Sequence, residues 1–366
     1  PILIVFRLLQ GVGAALMLGV APKLISLAFP EGERGFALGM FSAGFATGVT
    51  LGAPLGGLLL TFLSWRALFF INPILGLVVL ILSSRSLRKF HAPRAWKWRA
   101  LDPWGAIILT GTLALFILTL TGIRDHGLAE AANVLGLVLA GCGLVLLILT
   151  EQRQQNPLLH KELWHSRGFL LGSFGVLLAF ACVMGSFFLL PFFLVQVYGY
   201  PPAQVGLMLA VLSLSNALLA FLGGYLADRV GNVRILRLGL TCIFMGLLAL
   251  GAATPQTSTL SLALRLALTG MGLGLFSAPN LNEILRGAPT ALMGLAASTN
   301  AVLKNLGALL GVIVLVAALG WGRTSPATLE SGVSIGMAGF RQAFWLAAGL
   351  AGLNFLINLL PRESIE

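Results

Sequence analysis

The chain has 366 residues, of which 58% are hydrophobic and only 10% charged, with a mean hydropathy of +0.96. A soluble domain carries about a quarter of its residues as charges, so a water-soluble enzyme or binding domain is excluded. The net charge of +11 invites a nucleic-acid-binding interpretation, but the basic residues sit in short connections that cannot build a folded basic surface.

Apolar runs of about 20 residues, the length at which a helix spans a bilayer, recur along the chain. A transmembrane barrel would alternate apolar and polar positions in segments of about ten residues, and these runs do not. The predicted spans are 2–28, 36–60, 69–84, 103–123, 131–150, 168–198, 203–227, 234–253, 261–283, 292–319 and 341–360. The run at 168–198 is expected to break or bend near Pro191 and to end before Tyr200, Pro201 and Pro202. Basic residues gather in alternate connections: Arg85, Arg88, Lys89, Arg94, Lys97 and Arg99, then Arg153, Lys161 and Arg167, then Arg229, Arg234 and Arg237. By the positive-inside rule those connections are cytoplasmic. The first helix then runs from outside to inside and Pro1 starts outside, which loss of an odd number of preceding helices would explain. Cys142, Cys182 and Cys242 all lie in apolar runs, where cysteine is a small buried hydrophobe and no disulfide framework is implied.

The second span carries Gly44, Gly48, Gly52, Pro54, Gly56 and Gly57. Each glycine weakens an ordinary soluble helix by roughly 1 kcal/mol, so the composition points to close helix–helix packing, with a bend at the proline. An internal repeat involves the same span. Gly39, Gly52, Ala53, Leu55 and Gly56 recur as Gly294, Gly307, Ala308, Leu310 and Gly311, each 255 residues later. The preceding helices also correspond, Arg7, Gly11 and Gly13 against Arg265, Gly270 and Gly272, if a small gap is allowed. Two parallel halves with a path between them form a known transporter plan. The copies lie eight helices apart instead of six, which makes 103–123 and 131–150 an inserted pair.

Arg7, Arg265 and Lys304 fall within apolar runs, where a charge costs roughly 3 kcal/mol or more and marks a functional candidate. Arg7 and Arg265 lie near outer helix ends, and snorkelling to the interface is the alternative for both. Lys304 is a dozen residues into its span with Asn300 one turn away, so it should face a wet cavity or pair with a carboxylate. Asn280, Asn282 and Glu283 cluster near an inner helix end, and Glu283 is a poor proton carrier at the interface. The four histidines lie in loops without metal-ligand spacing, so no metal site is expected. There is no phosphate-binding loop and no Ser–His or paired-carboxylate arrangement at membrane depth, which argues against ATP use within the chain and against an enzyme.

Four motifs carry a resemblance. RLLQGVGAA at Arg7–Ala15, GVTLGAPLGG at Gly48–Gly57, LPFFLVQVYGYPPAQVG at Leu190–Gly206 and GGYLADRVGNVR at Gly223–Arg234 occur in this order. Together they resemble the major facilitator superfamily, in particular its fourteen-helix drug–proton antiporter branch (the EmrB/QacA type). One departure is that Ala53, not proline, follows the third glycine of the antiporter motif.

The resemblance implies an all-α polytopic membrane protein with the major facilitator fold: two pseudo-symmetric helix bundles, two inserted central helices, and the first three helices missing by N-terminal truncation. It divides the chain into 1–84 as the remainder of the N-terminal bundle, 85–102 as a basic cytoplasmic loop and 103–150 as the inserted pair. A cytoplasmic linker at 151–167 and a C-terminal six-helix bundle at 168–366 follow. The implied proton relay and substrate cavity comprise Arg7, Gln10, Gln196, Arg265, Asn300 and Lys304. The implied antiporter face is Gly44, Gly48, Gly52, Pro54, Gly56 and Gly57, packing between the halves. The implied gate loop is Gly224, Asp228, Arg229, Gly231 and Arg234, with Asp228 capping a neighbouring helix and pairing with arginine. The expected function is export of small amphipathic compounds in exchange for protons across a bacterial cytoplasmic membrane. No cofactor beyond the proton gradient, no nucleic acid and a monomeric state are expected, with room for a periplasmic adaptor. The cations without a deep acid favour anionic or neutral substrates. Alternatives are a facilitator for one metabolite or a non-transporting relative.

Overall fold

The computed structural model describes residues 2–45, 47–48, 66–86, 103–126, 130–151, 161–319 and 336–360. All the regular structure among them is helical. Helix α1 is Ile2–Ala28, α2 occupies residues 34–45, α3 is Ala67–Ser86, α4 is Pro103–His126 and α5 is Ala131–Glu151. A short α6, Lys161–His165, leads into α7 (Arg167–Tyr198), α8 (Pro202–Val230), α9 (Asn232–Gly251), α10 (Thr259–Arg286), α11 (Met293–Leu319) and α12 (Met337–Ile357). Seven helices among the described residues are long and apolar enough to cross a bilayer: α1 and α7 to α12. Helices α3, α4 and α5 offer shorter apolar stretches, Phe70–Ser84, Trp104–Thr119 and Ala131–Leu147. The predicted span 36–60 runs mostly outside the described residues.

Local chemistry fixes the ends of α7. Ser166 Oγ accepts the Phe169 N–H at 3.3 Å, and Gly199 closes the helix at φ 65°, a left-handed conformation that suits glycine. Pro201 and Pro202 then start α8, where a missing N–H costs nothing. Of the break or bend expected near Pro191, the break does not occur; the helix continues through the proline to Tyr198. In an apolar surrounding a break would orphan further backbone groups, whereas a continuous helix loses one hydrogen bond.

Helices α7 to α12 share one core. Phe193 stacks against Phe340 and Phe344 with ring centroids 5.3 and 5.2 Å apart, joining α7 to α12. Buried amides pin the backbone of α7 on its inner half: Asn280 Nδ2 donates to the Gly172 carbonyl at 3.0 Å and Asn354 Nδ2 to the Gly175 carbonyl at 2.8 Å. Helix α10 lies close to α8 and α9, and α11 lies on α7 with Gly307 and Gly311 against the Leu177 and Ala181 carbonyls. Packing of main chain on main chain is what lipid-embedded helices achieve with small residues. Helices α4 and α5 pack on each other through Thr119 against Gly136 and Thr112 against Gly143.

The structure also re-registers the repeat. Pro30 and Pro289 each precede a single 3₁₀ turn, Glu31–Glu33 and Thr290–Leu292, which runs into α2 and α11. These landmarks are 259 residues apart, as are Gly35 and Gly294, and so are the Gly11–Gly13 and Gly270–Gly272 pairs with no gap. The 255-residue match is therefore off by one helical turn. Glycines spaced four apart look the same after a slip of four, so composition alone could not settle the register. In the corrected frame Phe41 and Phe45 of α2 correspond to Asn300 and Lys304 of α11.

Candidate functional site

Two groups of helices meet around a cavity of about 270 Å³. Its apolar side comes from Leu18 and Pro22 on α1, Phe41 and Phe45 on α2, and Phe180 and Phe187 on α7. Its polar side is built by Asn216 of α8, Ser277 of α10, and Asn300, Lys304 and Asn305 of α11. No carboxylate is among the described lining residues.

Lys304 lies eleven residues into α11, roughly 16 Å along its axis and so near the bilayer centre. Its Nζ sits 5.2 Å from the centre of the Phe180 ring. A desolvated cation–π contact stabilises by about 2 kcal/mol or more, comparable with the roughly 3 kcal/mol insertion cost but short of it. Among the described residues Lys304 has no carboxylate partner. One turn away Asn300 is 5% exposed, and its Oδ1 accepts no hydrogen bond from the described residues. A buried unpaired amide oxygen costs about 1–3 kcal/mol until a donor reaches it.

On the basic-loop side the cavity is sealed by two helix crossings. Asp228, at the end of α8, accepts the Gly35 N–H at 2.9 Å through one carboxylate oxygen and the Phe36 N–H at 2.7 Å through the other. These amides belong to the first turn of α2, where no intrahelical acceptor exists and the helix dipole favours an anion. The helices can come this close because Gly224 faces Gly35 and Gly39; a Cβ on Gly224 would run into the Gly35 carbonyl. Phe36 adds edge contacts to Phe221 and Tyr225 at 5.3 and 6.3 Å. In the second crossing, Gly19 of α1 lies against Ser298 of α11, and the Lys23 stem against Gly294. Toward the other face, residues 5–17 of α1 are exposed all round. Among the described residues the two groups therefore meet at their inner ends and part toward the outside.

Of the gate residues, Asp228 does cap the neighbouring helix, but among the described residues it has no arginine partner. Arg229 lies over the Tyr225 ring, 4.5 Å from its centre. Gly231 takes φ 103° in the turn to α9, and Arg234 Nη1 donates back to the Val230 carbonyl at 3.4 Å. Beside them Asn232 Nδ2 donates to Glu283 Oε1 at 2.9 Å and Asn282 Nδ2 to Asn232 Oδ1 at 3.2 Å, a polar junction at the inner ends of α9 and α10.

The relay residues do not gather. Asn300 and Lys304 line the cavity; Arg7, Gln10, Gln196 and Arg265 do not. Arg7 donates to Gln10 Oε1 at 3.0 Å on an exposed outer turn of α1, roughly 16 Å from Leu18. Gln196 is half-buried at the outer end of α7, roughly 14 Å beyond Phe187. Arg265 donates to the Ala249 carbonyl at 2.5 Å and so closes the last turn of α9. In the corrected repeat Arg265 is one residue out of step with Arg7, a rotation of about 100° around the helix.

The glycine face expected between the halves is only partly within the described residues. Gly44 and Gly48 are exposed, with no described atom within 4 Å of where a Cβ would stand; Gly52, Pro54, Gly56 and Gly57 lie outside them. Among the described residues of α2, Gly35 and Gly39, one and two turns nearer the inner end, make the contact between the groups. The small-x-x-x-small spacing of Gly35 and Gly39 was the available signal. Asn216, a lone amide within an apolar helix, was the signal for the cavity wall opposite α2.

Helices of bilayer length in two repeat-related groups around a shared cavity define a polytopic α-helical membrane protein. Residues 1–312 match the Major Facilitator Superfamily, and the chain belongs to it. It is similar to the riboflavin transporter RibZ of Clostridioides difficile, 26% identical over 357 residues, covering 98% of this chain and 76% of RibZ. It is also similar to the multidrug resistance protein Stp of Mycobacterium tuberculosis, 29% identical over 307 residues, covering 84% of this chain and 56% of Stp. The chain thus spans little more than half the length of that relative. Among solved structures, the human organic anion transporter MFSD10 shares the fold with a TM-score of 0.58 at 18% identity, covering 93% of this chain and 67% of that one.

Proposed function

We propose that this chain forms most of a proton-coupled secondary transporter that exports small amphipathic compounds across a bacterial cytoplasmic membrane. The observation that carries the proposal is the cavity, with an aromatic wall from α2 and α7, a polar wall from α11, and a seal of main-chain contacts on the inner side. Such a site takes up a molecule with one greasy and one polar end. A seal made of two hydrogen bonds and a glycine crossing can part and re-form, as alternating access requires. Export as the direction, and breadth of substrate, are supported by the resemblance to drug–proton antiporters and by relatives such as Stp. In this proposal α4 and α5 are the inserted pair of a fourteen-helix arrangement, and the described cavity residues include no carboxylate to carry the proton.

The test is flux of an amphipathic fluorescent dye in proteoliposomes holding the full native protein. Gradient-driven flux that stops when a protonophore collapses the proton gradient supports the proposal. Flux that ignores the protonophore would make the protein a facilitator, and no flux would remove transport. A second reading, transport of one metabolite, has the name of RibZ in its favour; inhibition by close analogues of a single compound only would select it.

A further inference from the structure

We infer that the cavity selects organic anions that carry a hydrogen-bond donor on an aromatic body. This rests on taking the cavity as the substrate site and deepens that proposal by naming the substrate class. Three independent features of the site converge on it.

The first is charge. Lys304 is the one charged group among the lining residues, is held near the bilayer centre, and has no carboxylate partner among the described residues. Its contact with the Phe180 ring compensates the charge only in part, which leaves an incoming anion to complete it. The second is the orphaned Asn300 Oδ1, which can only accept and so calls for an N–H or O–H. Four residues of helical rise separate it from Lys304, roughly 6 Å, which fits an anion and a donor para to one another on one ring. The third is the broken symmetry of the walls. Where α11 presents Asn300 and Lys304, the equivalent turns of α2 present Phe41 and Phe45. A ligand therefore meets a cationic, hydrogen-bonding wall on one side and an aromatic wall on the other. A lipophilic cation would be repelled by the first and would leave Asn300 unpaired.

The experiment is equilibrium binding to the purified protein in detergent. The probe is a fluorescent naphthoate with a hydroxyl para to its carboxylate. Its methyl ester removes the charge, a methoxy analogue removes the donor, and naphthyltrimethylammonium reverses the charge. The free acid should bind at least tenfold more tightly than the ester or the ammonium compound. Lys304→Gln should erase that preference and Lys304→Arg should largely keep it. Asn300→Ala should weaken the hydroxyl probe severalfold and leave the methoxy analogue unchanged. Equal affinity for acid and ester on the unsubstituted protein, or tighter binding of the ammonium compound, would overturn the inference without any variant having to fold. An unchanged acid affinity in Lys304→Gln would overturn it too, as expected if Lys304 pairs with a carboxylate of another segment. No gradient is present in this assay. A protein that binds the acid but shows no gradient-driven flux would lose the transport proposal alone, and one that exports only cations would lose the anion assignment alone.

Discussion

Removing the Asp228 carboxylate should open the inner seal. Two amide donors reach it at 2.9 and 2.7 Å, and a hydrogen bond to a charged acceptor contributes about 1.5–3 kcal/mol when desolvated. Asp228 is half-buried, and once the helices part both the carboxylate and the α2 amides regain water. The cost is then that of losing a helix cap, about 0.5–2 kcal/mol, with a small dipole contribution added. Asp228→Ala should therefore shift the closed-to-open equilibrium by about 2 kcal/mol, roughly thirtyfold. Asp228→Asn keeps one neutral acceptor and should shift it by about 1 kcal/mol. Spin labels at Glu33 and Arg234, on opposite sides of the seal, would report this as growth of a longer-distance population in a background freed of native cysteines. A distance distribution for Asp228→Ala indistinguishable from that of the parent would refute the latch.

Gly224→Ala should move the same equilibrium the same way. Its Cβ meets the Gly35 carbonyl, main chain that no rotamer can relieve, and overpacking of this kind costs about 1–3 kcal/mol; an unchanged distribution from the same labels would show that the crossing is looser than described. Arg265→Gln should lower thermal stability by about 1–2 kcal/mol through loss of the hydrogen bond to Ala249, while naphthoate binding stays as it was. Loss of binding at unchanged stability would return Arg265 to the substrate path.

The helices of the C-terminal group were legible because nothing but membrane burial accounts for apolar runs of that length. The predicted span 203–227 became Pro202–Val230, and 292–319 became Met293–Leu319. The fate of individual polar residues was not legible, since it depends on which backbone group a neighbouring helix offers. Arg265 was expected in the cavity, yet it found the last turn of α9, a partner with no side-chain signature. Lys304 could be placed because its depth left few alternatives. The repeat was recognisable but misaligned by a turn, and only the matching Pro30 and Pro289 starts corrected it. At Pro191 the sequence left a break and a bend open, and the break did not occur: proline interrupts a helix readily in water, where freed carbonyls are solvated, and much less readily among apolar neighbours.

The grip of Asp228 on α2 has an evolutionary consequence. Its donors are main-chain N–H groups of Gly35 and Phe36, so no side chain on α2 encodes the hydrogen bonds. Nearly any residue at position 36 other than proline would supply the same donor, and position 35 is restricted by the crossing with Gly224 more than by chemistry. As far as these hydrogen bonds go, a change on α2 needs no compensating change on α8. Correlated substitutions across homologues, commonly used to find contacts, should then be weak at this junction even though it closes the path. The signature should instead be an acid held at 228 and small residues at 35, 39 and 224, with the donated N–H groups themselves leaving no trace in sequence.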